Sequence, residues 1–161
     1  MKKFLFLFLL ASFYTNAQDT VHVDLSNPHA TIYTHLFFLQ DDSYQPKKAA
    51  ATILGLEEEI AIEKAIKIKK ILDGKGLFVD VNKIPNSPNY KDTIGYSSFY
   101  KYVLFPERMP QIYIEKINGK WYYSSETVAG IDELYKDVFP WYVDKLQDII
   151  PFSGYKKFFR L

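Results

Sequence analysis

The chain has 161 residues, with 20 Lys and Arg against 19 Asp and Glu, and a formal net charge of +1. This length suits one domain of ordinary size, and the near-neutral charge excludes the strongly basic surface of a nucleic-acid-binding protein. Cysteine is absent from the sequence, which excludes disulfides and thiolate metal sites, so the apolar core must hold the domain together.

Residues 1–17 have the pattern of a signal peptide. Lys2-Lys3 form a basic start, and Phe4 to Tyr14 form an apolar stretch that is too short to span a bilayer comfortably. Thr15-Asn16-Ala17 places small residues at the positions that a signal peptidase prefers, which predicts cleavage before Gln18 and export. Without the two lysines, 18 basic residues remain against 19 acidic ones, a net charge of −1. The alternative is an uncleaved N-terminal anchor.

Three helices are predicted in the first half of the exported part. Asn27-Pro28 suits an N-cap followed by the first helical position, and the apolar spacing predicts a helix from Pro28 to Leu39. A second helix is expected over Pro46 to Leu54 and a third over Glu57 to Leu72. The predicted buried stripe of the third helix consists of Ile62, Ala65, Ile66, Lys69 (by its stem) and Leu72, widened by Ile60, Ile68 and Ile71.

Asn118-Gly119 marks the centre of a predicted β-hairpin, because a two-residue type I′ turn requires positive φ at both central residues. Such a turn places Ile117 opposite Lys120, Lys116 opposite Trp121 and Ile114 opposite Tyr123. Side chains alternate across a strand, so one face of the hairpin is expected to be a core face. That face consists of Ile112, Ile114, Trp121 and Tyr123.

Strands are also expected over Leu77 to Val81 and Ser98 to Phe105, and helices over Glu126 to Val138 and Trp141 to Ile150. Together these elements predict an α+β domain. Its N-terminal helices pack on a small antiparallel sheet centred on the Asn118-Gly119 hairpin, and further helices follow at the C-terminal side.

The last ten residues, Phe152 to Leu161, mix aromatic and basic side chains and contain no acidic residue. This mixture is typical of a segment at a membrane–water interface. A frayed basic tail with accidental aromatics is the alternative interpretation.

The chemistry-bearing residues do not form a pattern typical of an enzyme. His29 and His35 are six positions apart, unlike a helical metal pair, and are interpreted as a cap-region histidine and a half-buried histidine. Ser124 and Ser125 lack a nucleophile elbow and are expected to cap the following helix or turn. Asp41-Asp42 is expected to be a solvated turn. The sequence therefore predicts no catalytic residues, no metal site and no cofactor.

Aromatic residues are the candidates for an interface or a pocket. Trp121, Tyr123 and Phe99 are able to line an apolar ligand pocket, although filling of the core is the favoured interpretation of Trp121 and Tyr123. Tyr33 and Phe37, on the helix predicted from Pro28, are the candidates for contacts with another protein surface.

Several segments resemble the N-terminal extracytoplasmic domain that precedes the pore in some bacterial channels of the small-conductance mechanosensitive family. The similarity extends from about Val23 to Pro151 and rests on the order and spacing of the segments. These segments are Pro28 to Leu36, Leu39-Gln40 with Ser43 to Pro46, Ile71 to Asp80, Tyr102 to Pro106, and Trp121 to Val128.

The resemblance implies a non-catalytic domain, residues 18–151, on the periplasmic side of the inner membrane, with residues 152–161 approaching the membrane. It implies a homo-oligomer formed through a channel domain, and a role in the assembly or modulation of a tension-gated channel. The family places transmembrane helices, a pore-lining helix and a cytoplasmic β domain after this region, and the 161 residues contain no pore segment. The alternative is a free-standing periplasmic module that binds a ligand or a protein; the identity of a small-molecule ligand stays open.

Overall fold

The computed structural model describes residues 21–94 and 97–140. The predicted signal peptide of residues 1–17, the predicted helix Trp141 to Ile150 and the aromatic and basic tail Phe152 to Leu161 lie outside the described residues.

The first helix, α1, spans Pro28–Phe37 and begins as its sequence predicts. The Asn27 side chain accepts a hydrogen bond from the Ala30 backbone N–H at 2.8 Å, and Pro28 occupies the first helical position, where its missing N–H costs nothing. The helix ends two residues before the predicted Leu39.

The second helix, α2, spans only Pro46–Ala50, so the predicted extension to Leu54 is wrong. Thr52 and Ile53 are used for tertiary pairing instead. The Thr52 carbonyl accepts a hydrogen bond from the Tyr123 N–H at 2.9 Å, and Ile53 forms a parallel bridge with the same tyrosine. Backbone groups paired in this way are unavailable for a further helical turn.

The third helix, α3, spans Glu58–Gly74, with Glu57 at its N-cap position. Its buried face is rotated from the predicted stripe, since Ile60 is 42% exposed and Ile62 and Ile66 are only partly buried. Isoleucines occur on both sides of this helix, so periodicity alone left its orientation ambiguous. The buried residues are Ala61, Ala65, Ile68, Ile71 and Leu72.

The predicted strand Leu77 to Val81 is wrong. After Gly76, whose φ of +62° is in the left-handed region, the Leu77 N–H donates to the Leu72 carbonyl and closes the end of α3. Leu77 is buried and Phe78 is 67% exposed, so the alternation of apolar residues is real. No strand of the described residues pairs with this segment, which continues into a short 3₁₀ turn at Val81–Lys83.

The predicted strand Ser98 to Phe105 is divided in two. Strands β1 (Asp92–Ile94) and β2 (Ser97–Phe99) form a separate antiparallel pair, and a bend at Tyr100 separates β2 from β3 (Lys101–Phe105). Strand β3 pairs with β4 (Met109–Ile117), with an irregularity in the register between Val103 and Phe105.

Strand β4 also pairs with β5 (Lys120–Tyr123) and forms the predicted hairpin. Ile117 pairs with Lys120, Lys116 with Trp121 and Ile114 with Tyr123, and Asn118 and Gly119 have φ of 50° and 83°. This register confirms the sequence prediction. The four residues of the predicted core face, Ile112, Ile114, Trp121 and Tyr123, are all no more than 2% exposed.

The fourth helix, α4, spans Ser125–Val138 and begins one residue before the predicted Glu126. The Ser124 side chain accepts from the Thr127 N–H at 3.0 Å, so the predicted cap is confirmed. Helix α3 packs against α2 and α4, α4 packs against β4, and α1 packs against α2 and β5. The fold is α+β, as the sequence predicts, with helices packed on the three-stranded antiparallel sheet β3-β4-β5.

Candidate functional site

The aromatic residues proposed from the sequence lie in three different places. Trp121 and Tyr123 are 0% and 2% exposed and belong to the hydrophobic core. Phe99 is 51% exposed at the end of the separate β1-β2 pair. These three side chains therefore do not line one pocket, and Trp121 and Tyr123 act as core residues.

Tyr33 and Phe37 form a row of stacked rings on α1 together with His29. The ring centroids of His29 and Tyr33 are 6.1 Å apart, and those of Tyr33 and Phe37 are 5.4 Å apart. Both candidate residues are half-buried, and Phe37 also packs edge-on against Phe38 at 5.2 Å. Part of each side chain therefore remains accessible for contact with another surface.

His35 is fully buried, so the expectation of a half-buried histidine is wrong. Its Nε2 lies 2.9 Å from the Ala65 carbonyl oxygen, and its Nδ1 lies 2.8 Å from the Tyr123 hydroxyl. Because a carbonyl can only accept, Nε2 carries the proton and Nδ1 accepts from the Tyr123 O–H. The neutral imidazole of His35 thus connects α1 with Ala65 of α3 and Tyr123 of β5.

Burial controls the ionisation of this pair. Burial lowers the pKa of His35 to about 4; the hydrogen bond to the Ala65 carbonyl opposes this change, and the positive charge of Lys69 adds to it. Burial also raises the pKa of the Tyr123 phenol. Both groups are therefore neutral at pH 7, and their hydrogen bonds join three elements of the fold.

Sequence reasoning missed this pair because α1 buries polar residues. Thr31, Thr34 and His35 are each no more than 1% exposed, although none counts as apolar in a periodicity search. Thr31, His35 and Phe38 have the spacing of one helical face. This spacing was the signal in the sequence that the three residues are buried together.

A groove lies between β4 and α4. Hydrogen bonds of two side chains, Ser124 and Thr127, hold its two walls together. The Thr127 hydroxyl donates to the Gln111 carbonyl at 2.7 Å and accepts from the Tyr113 N–H at 3.1 Å. The Ser124 hydroxyl donates to Thr127 Oγ1 at 2.9 Å. These hydrogen bonds attach the start of α4 to strand β4.

This groove, called here the β4–α4 groove, has a volume of about 540 Å³. That volume falls in the range of roughly 300–1,000 Å³ that is typical of ligand pockets. Its lining residues are Lys101, Pro110, Gln111, Tyr113, Glu126, Thr127, Gly130, Glu133, Leu134 and Asp137. None of the aromatic residues proposed from the sequence is among them.

The groove is acidic, with one lysine among its lining residues against three carboxylates. Glu126 accepts a hydrogen bond from the Tyr113 hydroxyl at 2.5 Å, and burial together with this bond raises the pKa of that phenol. The Lys101 ammonium lies 3.5 Å from the centroid of the Tyr113 ring. Among the described residues, Glu133 and Asp137 form no ion pair.

The neighbouring Asp132 differs from these groove residues. It accepts from the Lys64 ammonium at 2.6 Å and from the Lys67 ammonium at 2.8 Å, which ties α4 to α3. These two hydrogen bonds lower the pKa of Asp132. The acidic residues of α4 thus divide into one that holds the fold and others that line the groove.

Within residues 21–94 and 97–140, no group of three or more His, Cys, Asp or Glu side chains is placed to hold a metal ion. Over the same residues, the helices are all too short or too polar to cross a bilayer. Comparison with known proteins adds no identification, because no family model, no curated protein and no solved structure matches the chain.

Proposed function

We propose that this chain is a non-catalytic extracytoplasmic domain of a mechanosensitive ion channel of the small-conductance type. It acts on the periplasmic side of the inner membrane and contributes to the assembly or modulation of the tension-gated pore. The proposal rests on the resemblance of the segments between Val23 and Pro151, and one structural observation supports it.

That observation is the contact between the first and last of the resembling segments. The Thr31 hydroxyl lies 3.3 Å from the Trp121 carbonyl oxygen, and the Tyr123 hydroxyl lies 2.8 Å from His35 Nδ1. Leu72 and Leu77, from the segment Ile71 to Asp80, are buried in the same core. These segments therefore lie in one core of this chain, as expected of segments that belong to one domain.

Such a domain influences gating only if its packing differs between the closed and open channel. Channel opening is a two-state equilibrium, and a domain with equal contacts in both states shifts nothing. In a homo-oligomeric ring, the accessible parts of Tyr33 and Phe37 on α1 are the proposed contacts with the neighbouring copy.

Deleting residues 18–151 from the native full-length channel tests this role. We expect a changed gating tension, or a reduced fraction of assembled channels in the membrane, because contacts between copies are lost. Patch-clamp recording under a pressure ramp measures the first quantity, and native-size separation in detergent measures the second. The undeleted channel at matched membrane abundance is the control. Unchanged gating tension, conductance and assembly would refute the proposed role.

A free-standing periplasmic binding module is the second candidate, and the β4–α4 groove is the observation that favours it. In that case the ligand occupies the groove and not the region of Trp121, where the core is filled. The size and location of the native product separate the two candidates.

A further inference from the structure

The β4–α4 groove combines acidic side chains with an open glycine. We propose that it binds an extended peptide segment of a partner protein that carries lysines at alternate positions. This inference depends only on the groove and not on the proposed channel function.

Charge is the first argument. Glu126, Glu133 and Asp137 lie on the helical wall, and Lys101 is the one cation among the described residues that line the groove. Glu133 and Asp137 are one helical turn apart, an arrangement in which like charges repel. A bound cation between them removes that repulsion, whereas the neighbouring Asp132 already has two lysines as partners.

Spacing is the second argument. Residues 133 and 137 are separated by about 6 Å along the helix axis, at about 1.5 Å per residue. Side chains at alternate positions of an extended peptide point to the same side and are about 6.6–6.8 Å apart. Two such lysines therefore reach Glu133 and Asp137 together, and their flexible stems absorb the small difference.

Gly130 is the third argument, because it lies on the groove wall between Glu126 and Glu133. Glycine in the middle of a helix is destabilising relative to alanine. A Cβ at this position would meet no atom of the described residues within 4 Å, so internal packing does not require the glycine. An open position of this kind lets a peptide backbone approach the helix closely.

The sheet wall suits the remainder of a peptide. Gln111 is exposed on β4 and offers an amide that both donates and accepts hydrogen bonds. Pro110, which is exposed, provides apolar surface for the stem of a lysine.

The first test measures binding of a labelled Gly-Lys-Gly-Lys-Gly peptide to the full chain by fluorescence anisotropy at low ionic strength. The double variant Glu133→Gln/Asp137→Asn is expected to bind about tenfold more weakly, since two exposed charge pairs are lost. The matched control is Asp41→Asn/Asp42→Asn, which removes the same charge from an exposed turn outside the groove and should leave the affinity unchanged.

Two results would overturn the proposal in this experiment. One is equal binding of a peptide in which norleucine replaces both lysines. The other is an equal loss of affinity in the two double variants, because this would indicate attraction by net charge alone. Tighter binding of free spermidine than of the peptide would also contradict the peptide assignment.

Gly130→Ala separates binding from folding. The variant is expected to melt at the same temperature as the parent chain or higher, because alanine favours a helix more than glycine does. Its affinity for the lysine peptide should fall at least about fivefold, because the new methyl group occupies the open position. An affinity equal to that of the parent would contradict the predicted close approach of the peptide backbone.

Discussion

Lowering the pH from 7 to 4.5 is expected to reduce the free energy of unfolding by about 2–3 kcal/mol through His35 alone. The folded-state pKa of His35 is about 4, below the ordinary histidine value of 6.5. Between these two values the unfolded chain binds a proton that the folded chain does not bind. The contribution is therefore fully present above pH 6.5 and is lost as the pH falls towards 4.

The geometry explains why the folded protein resists protonation. A proton on Nδ1 would replace the acceptor that the Tyr123 hydroxyl needs, and the new charge would be fully buried. Lys69 adds a repulsive positive charge, although its ammonium is itself paired with Asp73 at 2.6 Å. The lowered pKa of Asp132 acts in a different pH window, because its contribution to stability is lost only as the pH falls below the ordinary aspartate value of 3.8.

Urea unfolding between pH 7.5 and 4.5 measures this effect. His35→Gln should unfold more easily at pH 7 but lose most of the pH dependence in this window. His29→Gln is the matched control, because His29 lies on the same helix with its ring stacked on Tyr33, and this variant should keep the dependence. Should His35→Gln fail to fold, an NMR titration of the parent chain gives the same information. A His35 ring that titrates near pH 6.5 in the folded protein would contradict the account.

Trp121→Ala is expected to destabilise the fold by about 3–5 kcal/mol, a large part of the stability of an ordinary domain. Trp121 is fully buried, and its indole N–H donates to the Pro88 carbonyl at 3.3 Å. The truncation leaves a large cavity beneath the β4-β5 hairpin and removes that hydrogen bond. Thermal or urea unfolding, followed by circular dichroism, measures the loss.

The control is Phe99→Ala, because Phe99 is an aromatic residue of β2 that is 51% exposed. Its removal is expected to cost less than about 1 kcal/mol. A cost below about 1 kcal/mol for Trp121→Ala as well would contradict its core position. Such a result would revive the interpretation of the tryptophan as part of a ligand pocket.

The features that local chemistry determines were predictable. The hairpin register follows from Asn118-Gly119, and the start of α1 follows from Asn27-Pro28. Ser124 caps α4 for the same kind of reason. In each case the residues that give the signal in the sequence are the same residues, or direct neighbours of those, that form the turn or the helix start.

The errors occur where distant segments decide the outcome. The early end of α2 depends on pairing of Thr52 and Ile53 with Tyr123, and the stretch after Gly76 lacks a strand partner among the described residues. The burial of His35 depends on the Ala65 carbonyl in another helix. No local pattern in the sequence reports these contacts, although the spacing of Thr31, His35 and Phe38 does indicate a buried face of α1.

The groove was not predictable for the same reason. Tyr113 and Glu126 are joined only because Thr127 fixes α4 against β4 in one position. On a helical wheel, Glu133 and Asp137 look like ordinary solvent-facing charges. That Glu133 and Asp137 line one groove becomes evident only in the folded chain, where strand β4 lies opposite them.

The mass and location of the native gene product test the proposed function most directly. Membrane and periplasmic fractions of the source cells are separated, and an antibody against the domain identifies the product by immunoblot and intact mass. The channel proposal predicts a membrane-bound product far larger than the 18.8 kDa of this chain, because it requires pore segments after the domain. A soluble periplasmic product of about the length that remains after signal-peptide cleavage would contradict the channel proposal and leave the binding module as the function.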